Sequence, residues 1–145
     1  MEEIKISKGA GFLKVVGILL VIFGSIAIIK SLISIIGAAA FIAIKLAAGI
    51  ETNSYEYYVG TIVYTLSAIA ELVCGIIGIR NCKKPEKSTK CLVWGIITIV
   101  LGIAGSVLMS IAAATKINII NILFVSVCPT LFIIGAILNK KSLSK

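Results

Sequence analysis

The chain contains no histidine, no aspartate and no glutamine, and six glutamates supply all of its carboxylate side chains. Without histidine it lacks the commonest general base and the commonest metal ligand, and without aspartate it lacks any paired-aspartate site. Charge is scarce as well: charged residues make up 14% of the chain, against about 25% in an ordinary soluble domain. Proline is limited to Pro85 and Pro129, so long stretches run without a helix breaker. What remains is apolar, with 59% hydrophobic residues and a mean hydropathy of +1.15. A water-soluble fold of this length cannot hide that much apolar surface, and the charges are bunched between runs of the length a bilayer demands.

These runs predict an all-α membrane protein with one transmembrane domain over residues 1–145. It is a four-transmembrane-helix bundle with spans at approximately 11–33, 59–79, 91–113 and 119–138. The run from Val15 to Ala40 exceeds the roughly 7–15 apolar residues of a signal peptide, so it reads as a retained span. Residues 34–58 stay apolar to Ile50 and then turn polar at Glu51-Thr52-Asn53-Ser54. They predict an extra interfacial segment after the first helix, followed by Tyr55, Tyr57 and Tyr58 at the membrane–water boundary. The most polar stretch, Arg80 to Lys90 with Pro85 inside it, predicts a tight cytoplasmic loop at 80–90. A short link at 114–118 precedes the fourth span.

Orientation follows from the basic residues. Of the 14 Lys and Arg, all but Lys30, Lys45 and Lys116 fall in the N-terminal stretch, the 80–90 loop or the C-terminal tail. Positive charge is retained in the cytoplasm, so both termini and the middle loop are expected there, in a multi-pass protein of the cell membrane. The net charge of +8 flanks apolar spans. It reads as a topology signal at an anionic bilayer rather than as a nucleic-acid surface. Of the four cysteines, Cys82 and Cys91 are expected as cytoplasmic thiols, and Cys74 and Cys128 as thiols packed between helices. Nine positions apart and without a histidine, Cys82 and Cys91 make no metal ligand set, and no cofactor is implied.

Glycines repeat in register. Gly17 and Gly24 of the first span match Gly95 and Gly102 of the third, and Ile76-Ile77-Gly78 matches Ile133-Ile134-Gly135, with two lysines five residues on in each case. This pattern permits two hairpins in parallel repeat, the first with an insertion. Small residues let helix backbones approach closely in lipid. Gly17, Gly24 and Ser31 recur every seven positions, Gly102, Ser106, Ser110 and Ala114 every four, and Asn121, Cys128 and Gly135 every seven. With Gly75, Gly78 and Gly95 they are the expected packing seams. They are expected within the bundle, with a homo-oligomer or a membrane-protein partner left open.

Glu71 is the charged residue inside the second span. A charge at mid-span costs about 2.5–3.5 kcal/mol on insertion scales and usually faces protein or water. Ser67 and Gly75 lie one turn either side, and Thr98 and Thr130 fall at a similar depth. Pro129 has no N–H for the Val125 carbonyl, leaving it free to accept from a protonated Glu71 or a threonine hydroxyl. Glu71, Thr98, Thr130 and Ser67 are therefore the candidate ion or proton site. The alternative is a structural carboxyl closing a polar seam. Lys30 is expected to snorkel outward, its height differing from that of Glu71 by roughly 13 Å, which argues against a direct pair.

The stretch Gly75-Ile76-Ile77-Gly78-Ile79-Arg80 with Lys84-Pro85-Glu86-Lys87, and Pro129 to Ala136 running into a lysine tail, carry a resemblance. Together they resemble the small four-span (tetraspan) membrane proteins of Gram-positive bacteria. The resemblance implies a fold and a membrane location but no catalytic residue, because that group has largely no assigned activity. Two functions follow. One is a non-enzymatic structural, accessory or immunity and stress module acting on partners through helix packing. The other is a small proton- or cation-linked transporter or channel centred on Glu71. An enzyme would need a nucleophile with a base, or a metal cluster, and neither is present.

Overall fold

The computed structural model describes residues 8–51, 54–112, 116 and 119–141. Every regular element among them is helical: α1 Lys8–Ala47, α2 Ser54–Asn81, α3 Ser88–Ala112 and α4 Ile119–Lys141, with a 3-10 turn at Pro85–Lys87 leading into α3. The helices α1, α2 and α3 are each long and apolar enough to cross a membrane. Isoleucines such as Ile33, Ile36 and Ile44 stand on the outer surface, a surface suited to lipid rather than water. The protein is membrane-embedded.

The first helix differs from expectation. No separate interfacial helix follows it, because residues 34–47 continue α1 to a total of 40 residues. Nothing local stops it, since Ser34 to Ala47 contains no proline and is rich in alanine, the best helix former, and Tyr57 and Ala112 of other helices support it. The helix stops at Gly49, whose φ of 70° lies in the left-handed region that favours glycine. The Gly49 amide donates to Leu46 O at 3.1 Å and the Ile50 amide to Lys45 O at 3.0 Å, the paired bonds of a Schellman cap. At about 1.5 Å per residue α1 is roughly twice the length a bilayer core requires.

Consecutive helices run antiparallel, and each packs on its neighbours in the ring α1–α2–α3–α4–α1, while the diagonal pair α2 and α4 barely touch. Glycines set the register. Gly17 lies on Gly75 and Ile79, Gly24 on Leu72, Gly95 on Ile133, Gly102 on Val125 and Gly135 on Leu13. These seams all close within one chain. The fully buried Phe132 ring of α4 fills the slot that Gly78 of α2 and Gly95 of α3 leave open.

The start of α1, the 82–87 turn and the end of α4 meet at one end of the bundle. Gly9 lies against the backbone of Leu138 and Asn139, and Asn139 Nδ2 donates to the Cys82 carbonyl at 3.0 Å. That end carries Arg80, Lys83, Lys84, Lys87, Lys90, Lys140 and Lys141, and is the basic end below. Cys82 and Cys91 lie at this end. Both are buried in a core cluster with Leu13, Leu20, Cys74 and Phe132, while Lys83, Lys84, Glu86 and Lys87 of the turn between them are exposed. All four thiols are free.

At the opposite end, Ala38 and Ile42 of the α1 extension form a second cluster with Tyr57 and Ala112. Tyr57 is buried there, its ring stacked on Phe41 at 5.2 Å, so it faces protein where a boundary position was expected. Tyr55 and Tyr58 remain exposed. Lys45 Nζ sits 4.9 Å from the Phe41 ring centroid, a cation–π contact. The link expected at 114–118 lies outside the described residues apart from Lys116, as do Ala114 and the side chain of Asn121.

Candidate functional site

Glu71 sits on α2 ten residues before its end at Asn81, about 15 Å from that end. It does not lie in a closed seam. Its side chain lines a cavity of about 490 Å³ bounded by α1, α2 and α4. The cavity exists because α1 and α4, close-packed at the basic end through Gly135 and Leu13, stand on opposite sides of it further along. Phe23, Ile26 and Ala27 form the α1 wall, and Ile120, Leu123 and Val127 the α4 wall. Several of these wall residues are also exposed on the outer surface, so the cavity opens sideways, where lipid would lie.

Five polar side chains reach this apolar space: Lys30, Tyr64, Ser67, Glu71 and Cys128. Hydroxyls in membrane helices commonly bond back to the preceding turn, and several here do. Thr61 donates to Tyr57 O at 2.9 Å, Thr65 to Thr61 O at 2.8 Å and Ser110 to Ser106 O at 2.9 Å. Ser67 does not. Among the described residues, Lys30, Tyr64, Ser67 and Glu71 make no side-chain hydrogen bond or ion pair, although all four line one cavity. Lys30 is exposed, Tyr64 and Glu71 are half-buried and Ser67 is buried.

Two of the four expected site residues fall here, Glu71 and Ser67. Thr98 and Thr130 do not. Thr98 is buried at the α2–α3 contact, its hydroxyl 2.8 Å from Trp94 O and 3.4 Å from Ala70 O. It braces the helix that carries Glu71 from behind. Thr130 is exposed on α4 and donates to its own Ser126 carbonyl at 2.7 Å. Equal depth along a span leaves rotation about the helix axis undetermined, and rotation separates these two from the cavity. Ser106, expected in a seam, is buried on α3 with its hydroxyl unbonded. Pro129 is fully buried within α4. It deprives the Val125 carbonyl of its usual donor, and Val125 itself lines the cavity.

Lys30 and Tyr64 complete the site where sequence reasoning did not place them. Gly24 lies on Leu72, so Lys30, six residues further along α1, is level with Leu66 of the antiparallel α2. That is five residues, or about 8 Å, from Glu71, less than the separation expected from assumed span ends. Tyr64, Ser67, Ala68 and Glu71 form one stripe of α2 at helical spacing. Extending the Ser67–Glu71 face by one turn would have found Tyr64. No family model, no curated protein and no solved structure matches this chain.

Proposed function

We propose that this chain is a four-span protein of the cell membrane, with both termini and the 80–90 loop in the cytoplasm, that carries a cation or proton on Glu71. The observation that carries this reading is the placement of the Glu71 carboxyl in a cavity, without a protein partner, instead of in a packed seam. A carboxyl retained for structure alone is expected to be bonded within the bundle. The α4 helix supports a fourth span: it has 23 residues, is apolar for most of its length and ends in Lys140-Lys141 at the basic end. The gathering of basic residues at one end supports the orientation. The glycine pairs of α1 and α3, each packed on the next helix of its own hairpin, support a parallel repeat.

The test is flux in proteoliposomes under a pH gradient. Wild type is expected to support flux, and a folded Glu71→Gln variant to lose it. No flux from either, with Glu71→Gln at least as stable as wild type, would make Glu71 a structural carboxyl. The protein would then be an accessory module that acts through partners.

A further inference from the structure

Two opposite charges line the cavity from different helices, Lys30 on α1 and Glu71 on α2. At the backbone Lys30 is level with Leu66, and Tyr64 and Ser67, on either side of that level, line the same cavity and can donate hydrogen bonds. Glu71, an acceptor when ionised, lies about one turn nearer the basic end. The two opposite charges face one cavity yet form no ion pair with each other. From this separation we infer that the cavity recognises a zwitterionic amphiphile, with its ammonium at Glu71 and its anionic group at Lys30, Tyr64 and Ser67. A guest with both charges would neutralise both side chains at once, whereas a guest with an ammonium alone would leave Lys30 uncompensated.

The apolar part of the guest is argued from the walls. Phe23, Ile26, Leu123 and Val127 line the cavity and are also exposed on the lateral surface, so an attached hydrocarbon chain can leave between α1 and α4 into the bilayer. The guest therefore arrives from the lipid. The inference rests on the reading of Glu71 as a cation site and adds the anionic half of the ligand.

The experiment uses the full chain in nanodiscs of phosphatidylglycerol, whose headgroup is anionic only, so that zwitterions come from the probe alone. Binding of lysophosphatidylethanolamine is compared with that of oleylamine, which has the ammonium and the chain but no anion. Wild type is expected to bind the zwitterion at least ten-fold more tightly. Lys30→Gln, a change at an exposed position that leaves packing intact, is expected to erase that preference by weakening the zwitterion without weakening oleylamine. Tyr64→Phe with Ser67→Ala is expected to lower the preference part of the way. Glu71→Gln is expected to weaken both probes. Leucine, which carries the two charges without a chain, is expected not to displace the probe, and displacement would overturn the bilayer source. An unchanged preference in Lys30→Gln, with oleylamine still dependent on Glu71, would overturn the zwitterion while leaving the cation site standing. Indifference of both probes to Glu71→Gln, or no binding of either, would overturn both.

Discussion

A Cβ on Gly75 would stand 2.7 Å from the Gly17 carbonyl oxygen, so α1 and α2 meet there backbone against backbone. The obstacle is main chain, which cannot rotate aside. In lipid, where apolar burial drives little, such close packing is a principal source of helix association.

Gly75→Leu is therefore expected to destabilise the fold by about 1–3 kcal/mol or more, the usual range for overpacking. Gly37→Leu, with nothing within 4 Å of its Cβ position, is expected to be close to neutral. Denaturation in mixed micelles, comparing the two variants, checks this.

Phe132 is fully buried in the slot formed by Gly78 and Gly95. Truncation of such a ring costs about 3–5 kcal/mol in soluble cores. Here the bilayer is as apolar as the core, so the transfer part is missing and the packing part remains. Phe132→Ala is expected to cost about 1–3 kcal/mol in the same assay.

Asn139 is buried and donates to the Cys82 carbonyl at 3.0 Å, holding the end of α4 against the turn after α2. Asn139→Leu removes that donor and leaves a buried carbonyl short of a partner. A loss of about 1–3 kcal/mol is expected, with faster amide exchange over 81–87 as the local sign.

Thiol labelling tests the cavity wall. Cys74 and Cys91 are fully buried, whereas Cys128 is partly exposed and lines the cavity. Brief treatment of the folded protein with a small membrane-permeant maleimide is expected to modify Cys128 first. Mass spectrometry of digested peptides should find Cys74 and Cys91 unmodified until the protein is unfolded in dodecyl sulfate. Labelling of Cys74 before Cys128 would contradict the packing described here.

Much of the architecture was legible in residue types. Apolar runs separated by Arg80–Lys90 and by the polar stretch near Glu51 locate the helices, because only a helix satisfies its own backbone in lipid. The glycine spacings were legible as packing seams, since close approach leaves few other residues to choose from. The end of α1 was not, because continuation through Ser34–Ala47 depends on the support of Tyr57 and Ala112 from other helices. The site was half legible. Glu71 and Ser67 stand out on one helix face, but Lys30 joins them only through the register set where Gly24 meets Leu72.

Composition and residue spacing fix a membrane solvent, helical elements, small-residue faces and a carboxyl, Glu71, deep within α2. All of these follow from residue types and from spacing along one helix. Tertiary structure decided that α1 and α4 stand apart beyond their shared contact near the basic end. It also decided that Thr98 and Thr130 turn away from Glu71, and that Lys30 comes within about 8 Å of it in height. Each of these depends on rotation and sliding of one helix against another. The close contacts between helices select those two variables, and the order of residues along any one helix leaves them free.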